Sequence, residues 1–229
     1  MAEFEHSYYL DKAGLALVMN EKGVNSLYCL DIFGTDVFVE DGEACSTLFS
    51  MVGEDVITMD DDDRFIINEP FNRMCQVMAE AQRILAVYSN GRKNVSTVFY
   101  LTDGKATGIQ SAPNRQNVLK VFEADRGNII DYIKETVDTK FGRDYKVKEK
   151  QLFLESLEFL SLEDNFEQII ENPDTLLFLE LVSPDGKRGI LKTAFIGSGK
   201  ELKMCVWNDD GFKIDTYNGE RFEKLVSEI

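Results

Sequence analysis

The first half of the chain carries helical hydrophobic patterns interrupted by one hairpin pattern. Asp11 precedes an apolar run over about 12–20 and Asp41 precedes a second run, so each aspartate is placed to cap a helix. Two short apolar runs on either side of the aspartates at 60–63 predict a β-hairpin. The run over 69–85 has apolar residues at three- and four-residue steps and predicts an amphipathic helix. Helix, hairpin and helix together make a small winged-helix-like unit.

Beyond this helix the pattern changes to short strand-like runs separated by turn residues. Asn90-Gly91 and Asp103-Gly104 lie between such runs and are typical of hairpin turns. A helical run over about 128–140 follows the last strand. The pattern therefore predicts an antiparallel meander that ends in a helix. The four predicted strands are ILAVYS, VSTVFYLT, ATGIQSA and NVLKVFEA.

The second half repeats this order of elements. A helical run over about 149–171 precedes a second meander, which begins near Thr175, and a helix over the last residues ends the chain. The short turns cannot hold parallel crossovers, so both sheets are expected to be antiparallel and the fold class α+β. We predict two halves, 1–145 and 146–229, related by a pseudo-two-fold axis. Because no linker rich in proline or glycine separates them, they are expected to form one continuous structure.

Charge and cysteine usage limit the partners and the compartment. The net charge is −16, which disfavours nucleic acid and anionic membrane surfaces as partners. No apolar run reaches the roughly 18 residues of a membrane span, and MAEFEHSYYL lacks the features of a signal peptide. The four cysteines form no C-x-x-C pair and are expected to be reduced thiols. These features predict a cytoplasmic protein without membrane insertion.

The residues that usually carry catalysis are sparse or misplaced. His6 is the only histidine and lies near the terminus, so serine or cysteine triads have no base. The segment GSGK at 197–200 resembles a phosphate loop, but Ala194 replaces its first glycine and Glu201 its final hydroxyl residue. A hairpin turn is the expected structure there. Trp207 is expected to pack in a core. We therefore predict a protein with no catalytic residue, no metal ligand and no cofactor.

One enzymatic alternative stays open at this point. Asp185, Glu201 and Lys203 match the loose carboxylate and lysine pattern of metal-dependent hydrolases. Against it, Pro-Asp-Gly is a strong turn signature and places Asp185 at a hairpin tip rather than inside a sheet. The aspartates at 60–63 lack the spacing of a calcium loop and are expected to form a solvated tip.

The long connection from Gln110 to Gln116, between the third and fourth predicted strands of the first meander, is the candidate binding segment. Connections of this kind carry binding residues more freely than strands do, although an ordinary loop would have the same sequence. An extended or helical partner could pair with it or with an exposed sheet edge. The candidate partner-binding residues are Gln110, Pro113, Asn114, Arg115 and Gln116.

The order of elements resembles the EspG-type chaperones of type VII secretion systems and their shorter relatives in low-GC Gram-positive bacteria. The helical segment from Leu10 to Val18 is similar to the beginning of those proteins. The segment from Gly42 to Leu85 is similar to their helix–hairpin–helix unit, and both meanders follow in the family's order. The resemblance covers nearly the whole chain as a pattern and includes no invariant motif.

This resemblance implies a cytosolic chaperone without enzymatic activity. EspG proteins bind the tip of a helical hairpin in a secreted heterodimer and keep it soluble for export. By position, Asp103 to Gln116 would match a family contact loop. Because this chain is shorter than the mycobacterial members, a small WXG- or LXG-type helical protein would be the analogous client. The charge alone also suits an immunity protein that neutralises a basic toxin domain, and that alternative stays open.

Overall fold

The computed structural model describes residues 6–24, 27–28, 41–89, 95–112, 115, 117–143, 169, 175–185, 189–198, 201–208 and 211–227. The chain forms two compact units. The first unit contains Glu3–Ile84 and Thr97–Arg126, and the second contains Met1–Ala2, Leu85–Ser96 and Gly127–Ile229. Helices and antiparallel sheets occur in both, which confirms the α+β class. The predicted halves, 1–145 and 146–229, and their pseudo-two-fold relation stay a prediction.

The first unit combines helices, a small hairpin and part of a larger sheet. Its strands in the larger sheet follow the order β1-β7-β6-β5, and neighbouring strands in that order pair antiparallel. β2 and β3 form a separate two-stranded antiparallel sheet, as predicted. The elements are β1 (Ser7–Asp11), α1 (Lys12–Glu21), α2 (Asp41–Gly53), β2 (Ile57–Met59), β3 (Phe65–Ile67), α3 (Glu69–Ala79), β5 (Val95–Leu101), β6 (Ala106–Ser111) and β7 (Val118–Ala124).

The second unit is built on the later meander. Its strands follow the order β4-β8-β9-β10-β11, with antiparallel pairing from β8 through β11, as the short turns predict. The elements are most of β4 (Arg83–Ser89), α4 (Arg126–Arg143), β8 (Thr175–Val182), β9 (Gly189–Ser198), β10 (Glu201–Asn208), β11 (Gly211–Thr216) and α5 (Gly219–Ser227).

The start of α1 confirms the helix cap predicted from the sequence. The Asp11 backbone is extended, and its carboxylate accepts a hydrogen bond of 2.7 Å from the Gly14 amide, one of the free donors of the first turn. Gly14 also permits a close approach to α2, because a Cβ there would lie 3.1 Å from the Met51 sulfur. The cap thus fixes the start of α1, and the glycine lets Met51 of α2 pack close to it.

The end of α3 differs from the prediction. Its buried positions, Phe71, Met74, Cys75 and Met78, are those that the periodicity gives. However, the helix ends at Ala79, and the residues from Arg83 onward form β4. The helical spacing of apolar residues therefore continues past the end of α3 into β4. The composition of ILAVYS is nevertheless that of a buried strand rather than a helix.

β1 is the element that the sequence did not indicate. Leu10 lies opposite Leu119 of β7, and the His6 carbonyl accepts a hydrogen bond of 3.1 Å from the Glu123 amide. The exposed His6 thus lies directly before β1, and the packed structure begins earlier in the chain than expected. β1 has only five residues, and its two tyrosines are half-buried. Its sequence therefore lacks the clear apolar–polar alternation that predicts a strand.

Aromatic side chains fill the core of the second unit on both sides of its strands. On one side Trp207 is buried beside Phe178 and Cys205, which confirms its predicted core position. On the other side Phe195 contacts Phe222 of α5, with ring centroids 5.4 Å apart. The predicted helical run 149–171 lies outside the described residues except for Ile169, which is helical and buried in the first of these clusters.

Candidate protein-binding surface

The connection between β6 and β7 was the predicted binding segment. Gln110 lies in β6, between Thr97 of β5 and Lys120 of β7, and its side chain is half-buried. The Ala112 amide donates a hydrogen bond of 2.8 Å to the Val118 carbonyl and closes the two ends of the connection. Three of the predicted residues, Pro113, Asn114 and Gln116, lie outside the described residues.

Arg115 holds this connection to two other elements of the first unit. Its guanidinium donates a hydrogen bond of 2.9 Å to the Glu54 carboxylate, directly after α2. The same guanidinium lies over the Tyr9 ring of β1, 5.1 Å from the centroid. Because both partners of the ion pair are partly exposed, each contact contributes at most about 1 kcal/mol. Arg115 thus positions the connection beside α2.

An apolar stripe lies on the exposed side of α2. Cys45, Phe49 and Val52 are exposed and follow each other at steps of four and three residues, the spacing of one helix face. The buried positions of the helix are Thr47 and Met51. A soluble helix normally has the reverse arrangement, with the aromatic residue inward and the hydroxyl outward. Much of this stripe, above all Phe49, is therefore left outside the packing of the first unit.

The β2–β3 hairpin also exposes apolar side chains. Met59 lies directly opposite Phe65, so both side chains project from one face. Ile57 and Ile67 pair on that same face nearer the base of the hairpin, where Ile57 is buried. Ile66 projects from the opposite face and is exposed as well. The outer part of the hairpin is thus apolar on both faces and covered on neither.

Backbone hydrogen bonds fasten the hairpin to α2. The Val56 amide donates to the Met51 carbonyl at 2.9 Å, and the Asn68 amide donates to the Val56 carbonyl at 2.9 Å. Val56 and Ile57 are buried at this junction, so the two exposed apolar sets are neighbours on one framework. We name them together the α2–hairpin surface. Its members and their exposed fractions are Phe49 (75%), Val52 (38%), Met59 (58%), Phe65 (45%) and Ile66 (49%).

The hairpin tip beside this surface is acidic and solvated, as predicted. The Asp60 carboxylate accepts hydrogen bonds from the amides of Asp62 and Arg64, at 3.0 and 2.8 Å, and so shapes the turn. Asp61, Asp62 and Asp63 are exposed. Residues 60–64 carry four carboxylates and one guanidinium, which gives the tip a negative potential next to Met59 and Phe65.

The apolar content of α2 and of the hairpin already indicates this surface in the sequence. The apolar residues of α2 occupy more than one side of the helix, although a single buried stripe would need only one side. They are Leu48, Phe49, Met51 and Val52. The run FII likewise places large side chains on both faces of a two-stranded hairpin. More apolar residues than a small element can bury indicate an exposed apolar surface of the kind that binds other molecules.

The structure overturns the alternative of a metal-dependent hydrolase. Asp185 lies in the turn before β9 and accepts a hydrogen bond of 2.6 Å from the Ser183 hydroxyl. Glu201 begins β10 and lies opposite Ser198, at the other end of the ten-residue β9. The length of β9 separates the two carboxylates by roughly 30 Å. Lys203 instead contacts Glu201 at 2.6 Å and donates to the Thr216 hydroxyl.

Other chemistry finds little support in the described residues. They contain no group of three His, Cys, Asp or Glu side chains that could hold a metal ion. Burial raises the pKa of both Cys75 and Cys205 to about 12, so neither thiol is a nucleophile near neutral pH. None of the helices in the described part of the chain has the length and apolar character of a membrane span.

Comparison with known proteins shows a shared fold. The sequence matches no protein-family model, and no curated protein matches it. By structure, the chain is similar to EspG5, a type VII secretion chaperone of Mycobacterium tuberculosis solved in complex with the PE25–PPE41 dimer. The similarity covers 97% of this chain and 95% of that chain, with a TM-score of 0.55 and 9% sequence identity. The fold that the sequence resemblance implied is therefore confirmed along nearly the whole chain.

Proposed function

We propose that this chain is a cytoplasmic, non-enzymatic chaperone that binds a secreted helical protein and keeps it soluble for export by a type VII secretion system. The observation that carries the proposal is the α2–hairpin surface, because five large apolar side chains stay exposed on an otherwise well-packed unit. Monomeric soluble proteins rarely maintain such a patch unless it binds another molecule.

The structural likeness to EspG5 supports the class of function. EspG5 is a secretion chaperone and was solved with a dimer bound to it. A shared architecture from end to end makes the same kind of task a reasonable proposal for this chain. We propose a client with a helical hairpin of the WXG or LXG type. Gln110, Pro113, Asn114, Arg115 and Gln116 are proposed to contact the client, and of these Arg115 lies beside the end of α2.

The size of the surface suits a client that is later released. Burying a large apolar side chain fully is worth about 1.5–3 kcal/mol, and these five are already partly covered. Roughly 1 kcal/mol each is then gained on binding, against an association cost of several kcal/mol. The five side chains alone therefore little more than offset the association cost, and contacts around them must supply the rest of a moderate affinity. Such a balance permits transfer of the client to the secretion machinery.

Co-expression tests this proposal directly. The chain would be expressed with each small helical protein that neighbouring genes encode, and complexes would be isolated by a tag on the chain and measured by light scattering. We expect one such protein to copurify at a fixed ratio and to precipitate when expressed alone. If none of them copurifies, the chaperone proposal fails.

The net charge of −16 favours a second candidate, an immunity protein that binds a basic toxin domain. Gene deletion separates the two candidates. Loss of a chaperone stops export of its client and leaves the cells viable. Loss of an immunity protein kills the cells that carry the toxin gene and spares cells from which that gene has been removed.

A further inference from the structure

We infer that the α2–hairpin surface selects its client by charge. It binds a helical segment whose apolar face is flanked by lysine or arginine. The carboxylates of Asp61, Asp62 and Asp63 attract those basic side chains. This inference rests on the proposed function and deepens it, because it names the chemistry of the client segment and the residues that recognise it. A secretion chaperone as such does not require a basic client.

The apolar part of the site has the form of a receptor for a helix. Phe49 and Val52 lie one turn apart on α2, and Cys45 extends the stripe by another turn in the same direction. Met59 and Phe65 add a second pair from the adjacent hairpin. A partner helix presents apolar anchors at steps of three, four and seven residues, and two receptor elements at this spacing can hold several of its anchors at once.

The acidic part of the site adds negative charge beside these apolar side chains. The only basic side chain in residues 57–67 is Arg64, and its guanidinium lies 4.0 Å from the Asp62 carboxylate. Both side chains are more than 70% exposed, so this pair neutralises little of the tip. Three carboxylates beside an apolar patch attract a cationic flank and repel an anionic one, which gives specificity beyond apolar burial.

The same charges argue against a second copy of this chain as the occupant. Each copy carries a net charge of −16, and pairing two α2–hairpin surfaces would bring two acidic tips close together. A basic helical segment from a different protein relieves that repulsion instead. Charge complementarity therefore favours a separate client over self-association.

Asp60 has a different role from its three neighbours. Its carboxylate is engaged by two backbone amides of the turn, so replacing it would alter the hairpin itself. Asp61, Asp62 and Asp63 can be neutralised with less risk. Asp63 has a φ of +59°, a conformation that asparagine also adopts readily, so an Asp63→Asn change keeps the turn. The triple change Asp61→Asn, Asp62→Asn and Asp63→Asn is thus a clean test of charge.

Two synthetic peptides serve as probes in place of the unidentified client. Both are 20-residue amphipathic helices with the same leucine stripe, one with lysine and the other with glutamate on its flanks. Binding to the intact chain is measured by fluorescence anisotropy at low salt and at physiological salt. We expect the lysine peptide to bind at least about tenfold more tightly, with an advantage that shrinks as salt screens the charges.

Matched variants separate local recognition from net charge. The tip triple variant should lose about tenfold in affinity for the lysine peptide, together with most of its salt dependence. The control neutralises three exposed acids of the second unit, Asp131, Asp138 and Asp215, and should bind as the unmodified chain does. If both triple variants lose affinity equally, the tip does not select the client and the inference is overturned.

Removal of the apolar anchors completes the experiment. Met59→Ser with Phe65→Ser should weaken binding of the lysine peptide by more than about tenfold. Ile190→Ser is the control, because Ile190 is also exposed but belongs to β9 of the second unit. Equal binding by both variants would overturn the inference. A dimer of the unmodified chain that only the Met59 and Phe65 changes dissolve would also overturn it, since the occupant would then be a second copy.

Failure of this inference can be distinguished from failure of the proposed function. If a neighbouring helical protein copurifies equally well with the tip triple variant and with the unmodified chain, the chaperone proposal survives and the charge selection is wrong. If no neighbouring protein copurifies while the lysine peptide still binds through the tip, the surface is real and the chaperone proposal is wrong.

Discussion

α2 and α5 are short helices that each carry one phenylalanine, and the two side chains differ in their exposure to solvent. Phe222 of α5 is 0% exposed and its ring contacts Phe195 and Tyr217, at centroid distances of 5.4 and 6.3 Å. Phe49 of α2 is 75% exposed, whereas Thr47 on the same helix is buried. α5 thus uses its aromatic residue to hold the second unit together, and α2 holds its position with smaller side chains.

This difference separates stabilising apolar residues from those that are available to a partner. The second unit has buried apolar residues on both sides of its strands, and Ile190 is the one large apolar side chain exposed among its described residues. The first unit has an equally buried core around Phe71, Phe99 and Phe122, but it leaves the α2–hairpin surface open. Since burial of apolar area is the main gain in folding, open apolar residues indicate selection for binding.

The largest expected contrast between the two regions is in thiol reactivity. Cys45 lies on the exposed stripe of α2, whereas Cys205 is buried in the core of the second unit. Burial raises the pKa of Cys205 from 9.0 to about 12, so at pH 8 its thiolate is roughly a thousandfold rarer than that of a thiol with the ordinary value. Alkylation by iodoacetamide, followed at each cysteine by peptide mass spectrometry, should modify Cys45 within minutes and Cys205 only after unfolding. Equal rates would show that the core of the second unit is open.

Truncation of the inward phenylalanine should give the largest loss of stability. Phe222→Ala removes a fully buried ring between Phe195 and Tyr217, and we expect a loss of about 3–5 kcal/mol in the free energy of unfolding. Urea unfolding followed by circular dichroism measures it. A loss below about 1 kcal/mol would contradict the packing of α5 described here.

Gly108 tests the core of the first unit. Gly108 of β6 lies opposite Phe122 of β7, and a Cβ at this glycine would come within 2.3 Å of the Phe122 ring. Because that ring is buried, Gly108→Ala should cost about 1–3 kcal/mol or more in unfolding free energy. Gly189→Ala is the matched control, since its Cβ would meet only the Lys192 side chain at 3.5 Å. Similar stability of the two variants would mean that the Phe122 ring does not cover β6.

The cap of α1 should have a smaller effect. Asp11→Ala removes the carboxylate that accepts from the Gly14 amide, and we expect a loss of about 1 kcal/mol in unfolding free energy. Asp11→Asn keeps an accepting oxygen and should recover most of that loss. If the alanine and asparagine variants are equally unstable, the hydrogen bond is not the reason for the effect.

The exposed stripe of α2 should matter least for folding. Phe49→Ser with Val52→Ser should change the unfolding free energy by about 1 kcal/mol or less, because Phe49 is 75% exposed and Val52, at 38%, is only partly covered. The same variant should lose client binding in the co-expression experiment. A stability loss as large as that of Phe222→Ala would erase the contrast between α2 and α5.

Local sequence patterns were sufficient for most elements of the fold. The strands of both meanders, the turn at Asp103-Gly104, the Asp11 cap and the β2–β3 hairpin around the aspartates depend on neighbours in the chain, and each is present in the described residues. The end of α3 was misjudged because apolar residues remain in helical phase beyond Ala79, while pairing in the sheet takes the following segment into β4. β1 was missed because its evidence lies in β7, more than a hundred residues away.

The candidate site was predicted only in part. Arg115 was selected for its place in a long connection, and the structure shows that it anchors this connection to Glu54 and Tyr9. The α2–hairpin surface was not predicted, because a sequence shows how apolar a helix is but not which of its sides will be covered. Exposure is a property of the packed chain: Phe49 and Phe222 are the same residue in similar helices, and only their surroundings distinguish them.

Sequence patterns alone were enough for the α+β class, the antiparallel pairing of the meanders, the acidic character and the weakness of every catalytic motif. These follow from short-range geometry and from composition, which need no tertiary information. Only the tertiary structure decided that Asp185 and Glu201 lie at opposite ends of β9, that Arg115 binds Glu54, and that five apolar side chains of α2 and the hairpin face solvent. Each of these depends on which distant segments meet, and local sequence does not specify those meetings.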